Sequence, residues 1–189
     1  MFSRFKGTSL LLGLWAAVCG SCSRPSDTDS VVIAKSANDA RFGETESRKK
    51  AAHFLVEMAD ARMMDGFEGQ VAVDRGVSPD VKAYGARMIT EQAELHKEIK
   101  QVAMAMGVQL PGTISDAKAD GLKDLREQSG DDADKKFISM ITIDHKRDVK
   151  EFKKAMELNE PLVRDFAARR LPTIEQHLAA IEAIHDARK

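Results

Sequence analysis

Residues 137–156 read FISMITIDHKRDVKEFKKAM. Apolar side chains recur at Ile138, Ile141, Val149, Phe152 and Met156, the alternating three-and-four spacing of one helix face. His145 falls on this stripe, with Asp144 beside it and Asp148 one turn on. An inward-facing ionisable group costs free energy unless it has a partner. What His145 faces is therefore the question that the rest of the chain has to answer.

Three further segments carry the same periodicity. From Ser47 to Arg75, Phe54, Leu55, Met58, Ala61 and Ala72 share a face with Asp65 and Glu68. Gly76-Val77-Ser78-Pro79 breaks that helix, and Ser78 with Pro79 opens the next as N-cap and first helical residue. The second helix, Asp80 to Met106, has a heptad-like seam of Val81, Gly85, Met88, Gln92, Leu95, Ile99, Val102 and Met106. Gly107 ends it and Pro111 prevents its return. A connection from Val108 to Gly130 holds a short helix over Ser115–Gln128. The third helix runs from Asp132 to Leu158, with acidic residues at its first turn to suit the helix dipole. After a turn at Asn159-Glu160-Pro161, the fourth runs from Pro161 to Ala187, presents Phe166, Arg170, Ile174, His177, Ile181 and Ile184 on one face, and is expected to kink at Pro172. Matched lengths of about 40 Å, two tight hairpin turns and one long crossover predict an all-α, antiparallel four-helix bundle with ferritin-like connectivity over residues 47–187.

The 189 residues suit one domain, and 43% hydrophobic with 31% charged residues is the balance of a well-solvated globular protein. A net charge of −1 excludes the basic footprint of a nucleic-acid-binding protein. Both cysteines, Cys19 and Cys22, lie near the start, which leaves the helical body without thiols for a disulfide or a thiolate metal site.

The first 22 residues have a different character. Arg4 and Lys6 precede an apolar run from Leu10 to Val18, which is too short to span a bilayer and ends in small residues. This is the pattern of a secretory signal peptide. Gly20-Ser21-Cys22 resembles a bacterial lipobox, with Cys19 where Leu or Val is usual. Lipidation at Cys22 is the leading reading; cleavage near Ala17 and an uncleaved anchor are the alternatives. Residues 23–46, rich in Ser, Asp and Thr, read as a flexible tether. The chain is thus expected to be exported as a periplasmic or outer-membrane lipoprotein, attached to the membrane through Cys22 and open to envelope protein partners.

The inward polar residues share a height. Glu68 precedes the Ser78 turn and Gln92 follows it, while His145 and His177 flank the Glu160 turn at comparable distances. All four helices therefore contribute to one polar layer, spread over one or two turns of ~5.4 Å each. Two readings follow. One is a metal site of Glu68, His145 and His177, with Asp65, Glu91, His96 and Asp148 as further candidates, suited to zinc, iron or manganese. The other is a buried hydrogen-bond layer that fixes helix register. A di-iron centre requires paired Glu-x-x-His motifs. Thr142 and Ile174 stand three residues before His145 and His177, and Glu182–His185, near the chain end, is unpaired. With neither a Gly-rich phosphate loop nor a nucleophile triad, the reading is a binding or structural protein rather than an enzyme. The run Lys146, Arg147, Lys150, Lys153, Lys154 reads as a solvated face, and the methionines as core filler.

Together, FLVEMADARMMDGFEGQVAVDRG (54–76), VKAYGARMITEQAELHKEI (81–99), GVQLP (107–111), FISMITIDHKRDVKEFKKA (137–155) and LPTIEQHLAAI (171–181) resemble bacterial domain-of-unknown-function family 4142. That resemblance implies a secreted or envelope-attached helical protein near the ferritin-like folds, without an established activity. It implies an acid at Glu68, Asp-His at Asp144-His145 and a histidine at His177, all present. Where members also carry Asp-His in the second helix, this chain has Glu91-Gln92, with His96 one turn later. One expected nitrogen ligand is thereby lost.

Overall fold

The computed structural model describes residues 28–189, so the signal-peptide reading and Cys22 lie outside the described residues. Among the described residues all regular structure is helical: α1 (Ser30–Phe42), α2 (Glu46–Arg75), α3 (Pro79–Met106), α4 (Asp116–Arg126), α5 (Gly130–Ala155) and α6 (Pro161–Asp186). The four long helices are those expected, and α6 continues through Pro172. α2 packs along α3 and α5 along α6, while α2 also meets α5 and α3 meets α6, so each long helix touches two others. No helix among the described residues is long and apolar enough to cross a membrane.

The expected tether from 23 to 46 is corrected over residues 30–42, because Ser30–Phe42 is a helix docked on α2. Its composition is polar, but its polar groups are used. Asp29 Oδ1 accepts from Val31 N (2.8 Å) and Val32 N (3.1 Å), a side-chain N-cap. Asn38 is fully buried and exchanges two 2.8 Å hydrogen bonds with the backbone of Gln109. Ser30 Oγ accepts from Gly112 N at 2.8 Å. Hydrogen bonds to the crossover, rather than a wide apolar stripe, hold α1 in place, which is why hydrophobic periodicity did not reveal it.

The core divides in two. One apolar half gathers Phe54, Leu55, Met58, Ile99, Phe152 and Phe166, with Phe54 and Phe152 edge to face at 5.2 Å. The other gathers Val71, Val81, Tyr84, Met88, Phe137 and Ile141. On every long helix the chain passes from one half to the other through a buried polar residue: Arg62 on α2, with Asp65 and Glu68 just beyond it, Gln92 on α3, His145 and Asp148 on α5, His177 on α6. The polar layer is the plane between the two apolar halves.

The α2–α3 pair sets the closeness of the packing. A β-carbon on Gly85 would lie 2.7 Å from the Gly69 carbonyl oxygen and 2.8 Å from Ala72 Cβ, and one on Gly69 would lie 2.7 Å from the Gly85 carbonyl oxygen. Two backbones meet here with no side chain between them. Gly85→Ala is expected to lower unfolding stability by roughly 1–3 kcal/mol, despite alanine's better helix propensity. A denaturation midpoint equal to or above that of the parent would refute this packing.

Candidate functional site

The layer begins with a residue that the sequence reading passed over. Arg62 stands on the α2 seam with Ala51, Leu55, Met58, Asp65, Gly69 and Ala72, in strict alternation of four and three. Its side chain has no exposure, and its Nη2 donates to Asp148 Oδ2 on α5, whose side chain is equally buried. The same Nη2 lies 3.1 Å from Asp65 Oδ2. That contact is an ion pair without hydrogen-bond alignment, since neither Asp65 oxygen has a hydrogen-bond partner. Asp148, a candidate ligand from sequence, is thus the counter-ion of Arg62.

One turn along, ligand atoms of Asp65, Glu68 and Asp144 lie within 4.8 Å of one another. Glu68 is fully buried, and neither of its carboxylate oxygens has a hydrogen-bond partner. Burial pushes its pKa well above the ordinary glutamate range, with the charges of Asp65 and Asp144 adding to the rise. Burial likewise pushes the Asp65 carboxyl up to about 6, against the opposing pull of Arg62. Asp144 is the partly exposed member, met by Arg147 Nη2 at 2.9 Å and by Lys118 Nζ of α4 at 3.7 Å.

The imidazoles occupy the other side. His145 Nδ1 lies 3.1 Å from the Ile141 carbonyl oxygen. A carbonyl only accepts, so Nδ1 carries the proton and Nε2, buried and without a partner, keeps its lone pair. His177 Nε2 is 2.5 Å from Glu91 Oε2, and its Nδ1 is 3.4 Å from Gln92 Nε2. The Glu91 carboxylate fixes the proton on Nε2, and Nδ1 accepts from the amide, so both nitrogens of His177 are engaged. Tyr84 donates to the His177 carbonyl at 3.1 Å. The two imidazole rings meet edge to face with centroids 5.6 Å apart. His96 is half-buried beside the Ala59 carbonyl, with Nδ1 unpartnered.

Glu68 is therefore placed with Asp65 and Asp144, and His145 with His177, while Glu91 turns to His177 and the solvent and His96 stands one turn away. Neither imidazole belongs to the three-carboxylate group. Among the described residues, apart from Ser47 Oγ, the unpartnered buried side-chain nitrogen and oxygen atoms belong to Arg62, Asp65, Glu68, Gln92, His96, His145 and Asp148. One plane thus offers more donors and acceptors than it uses, which is unusual for a buried layer.

A chain of helices divided by such a plane is defined as a class by its fold and its buried ionic layer, not by a catalytic motif. The chain belongs to the family described as Domain of unknown function (DUF4142), whose profile matches residues 36–184. The fold is similar to that in a crystal structure of a DUF305 fragment from Deinococcus radiodurans, at a TM-score of 0.63 and 14% identity. That match covers 71% of this chain and 94% of the fragment. No curated protein matches the chain.

Burial, and next the charge of Arg62, lowers the pKa of His145 to about 4; burial, and next His145, lowers that of His177 to about 4. An unfolded histidine titrates near 6.5, so the unfolded chain binds more protons than the folded one between these values. Stability contributed by the neutral pair is therefore complete above about pH 6.5 and is lost as pH falls towards about 4. Ring NMR shifts of the two histidines in metal-free protein are expected to stay those of the neutral form at pH 5.5; a midpoint above 6 for either ring would contradict the described burial.

Proposed function

We propose that this protein is an exported envelope protein with a binding role, tethered by lipid at Cys22, whose long helices form a ferritin-like bundle around one divalent-cation site. The observation that carries the cation site is Glu68, a fully buried carboxylate with both oxygens unpartnered, within ligand distance of Asp65 and Asp144. A carboxylate so placed is either protonated or neutralised by a cation, and three convergent carboxylates favour the cation. Asp65, Glu68 and Asp144 supply hard oxygen ligands, and His145, the residue after Asp144, keeps a free lone pair on Nε2. This donor set suits manganese, with zinc and iron next. His177, engaged by Glu91 and Gln92, packs against the His145 ring and orients it rather than binding the cation.

The competing reading makes the layer a register device. It is favoured by the Arg62–Asp148 pair, which would fix α2 against α5 without any ligand. The two readings part on direct measurement. Protein purified without a polyhistidine tag is expected to bind about one Mn²⁺ per chain and to gain thermal stability on its addition. Glu68→Gln is expected to weaken that binding at least ~10-fold while leaving the metal-free protein as stable as before or more so. Fewer than ~0.1 Mn²⁺, Zn²⁺ or Fe²⁺ per chain, with no thermal shift, would leave only the register reading.

The anchor rests on the sequence alone, through the signal-peptide pattern and Gly20-Ser21-Cys22. In cells fed a labelled fatty acid, label is expected on the parent protein and not on Cys22→Ser. Equal labelling of both, or of neither, would remove the anchor from this proposal.

A further inference from the structure

The cation site is approached from a groove that Asp144 borders. A groove of about 530 Å³ lies between α1, α2, α4 and α5, bordered by Lys35, Met64, Lys118, Gly121, Met140 and Asp144. Asp65 and Glu68 are fully buried and do not border it, whereas Asp144 does. Asp144 therefore belongs both to the groove and to the three-carboxylate group.

Lys118 stands beside it. Its Nζ is 3.7 Å from Asp144 Oδ2, and the two side chains are only 15% and 16% exposed. This is not a lysine waving in solvent. Its helix is fastened at the N-terminus: Asp60 Oδ1 and Oδ2 accept from Ser115 N (2.8 Å) and Ser115 Oγ (3.0 Å), and Asp29 Oδ2 accepts from Asp116 N (2.7 Å). α4 thus presents one ammonium to the mouth of the acidic group. Arg147 pairs with the other Asp144 oxygen, Oδ1, at 2.9 Å, but its side chain is half exposed, whereas that of Lys118 is held in the groove.

We infer that Lys118 is a built-in competitor for the cation site, an ammonium that a divalent ion must displace from Asp144 before Asp144 can join Asp65 and Glu68 as a ligand. The inference rests on the cation-site reading above and adds its regulation. Two consequences follow from Coulomb's law. A bound divalent ion within a few ångströms of an ammonium in a poorly solvated site is weakened by the repulsion, and an entering ion meets the same barrier in the groove. Lys118 then sets a low affinity and a slow entry, while a flexible four-carbon stem lets it withdraw into the groove. The fixed charge of Arg62 cannot withdraw, because it is buried and hydrogen-bonded to Asp148.

The experiment is an Mn²⁺ titration of the mature chain, following free Mn²⁺ by electron paramagnetic resonance. Lys118→Met and Lys118→Gln are each expected to tighten the Kd at least ~10-fold and to speed association. Lys118→Arg, which keeps the charge, is expected to bind no tighter than the parent. Lys35→Met is the control, since it removes a charge from the same groove that pairs with Glu57 instead; its Kd is expected to stay within ~2-fold of the parent. Two charge-removing variants guard against one failing to fold, and unfolding curves identify that case. If the parent binds Mn²⁺ and neither variant binds more tightly, the competitor role is overturned and the site stands. If Lys35→Met tightens binding as much as Lys118→Met, general groove charge replaces Lys118 and the inference falls. If no variant and no parent binds, the cation site falls with it.

Discussion

The guanidinium of Arg62, held without solvent contact between α2 and α5, is the constraint on which the layer depends. A buried cation cannot stand alone, so a carboxylate must lie against it, and α5 must keep the rotation that brings Asp148 there. With Asp148 inward, the spacing of α5 places His145 and Asp144 within the preceding turn. With Arg62 inward, α2 carries Asp65 one turn and Glu68 nearly two turns further on. Sliding either helix by one residue would separate the charges and drive Met58 or Phe152 out of the apolar half that each occupies. The pair thus specifies register more than it adds stability, since desolvation offsets much of its attraction.

The layer has two sides of different chemistry. Between α2 and α5 it is ionic, with four carboxylates and one buried guanidinium. Between α3 and α6 it is neutral, built from Gln92, the His177 ring and the hydroxyl of Tyr84, with Glu91 reaching in from the surface. The edge-to-face contact of His145 and His177 joins the two sides. Neutral imidazoles are what the join requires. A protonated His145 would face Arg62, and the approach of like charges in a buried site is the second of the causes that depress its pKa.

Much of the fold could be read from periodicity. The long helices end within a few residues of the predicted limits, because glycine, proline and acidic first turns mark their boundaries. α1 could not be read that way, since Asp29, Ser30 and Asn38 hold it through partners in the crossover some seventy or more residues away. At the site, the common height of Glu68, Gln92, His145 and His177 was readable from counting along helices. Which residues face one another was not. Arg62 lies on the same seam as Met58 and Asp65, and its position in that alternation was the available signal. Arginine is so often exposed that composition argued against it. Lys118 gave no such signal, because its importance comes from where the crossover docks α4.

The charges are where the proposed cation site and the register reading part. A register device needs one buried pair, and Arg62 with Asp148 supplies it. Asp65, Glu68 and Asp144 add three further carboxylates in the same plane, and Glu68 has no hydrogen-bond donor to satisfy it. For structure alone, leucine or glutamine at position 68 would avoid the desolvation cost. A buried carboxylate raises the cost of folding, a cost that the proposed cation would offset. Glu68 is inward because its neighbours on the α2 stripe are core residues, and it is acidic where an apolar residue would pack. That combination is the strongest physical argument for a positively charged ligand in the middle of this fold.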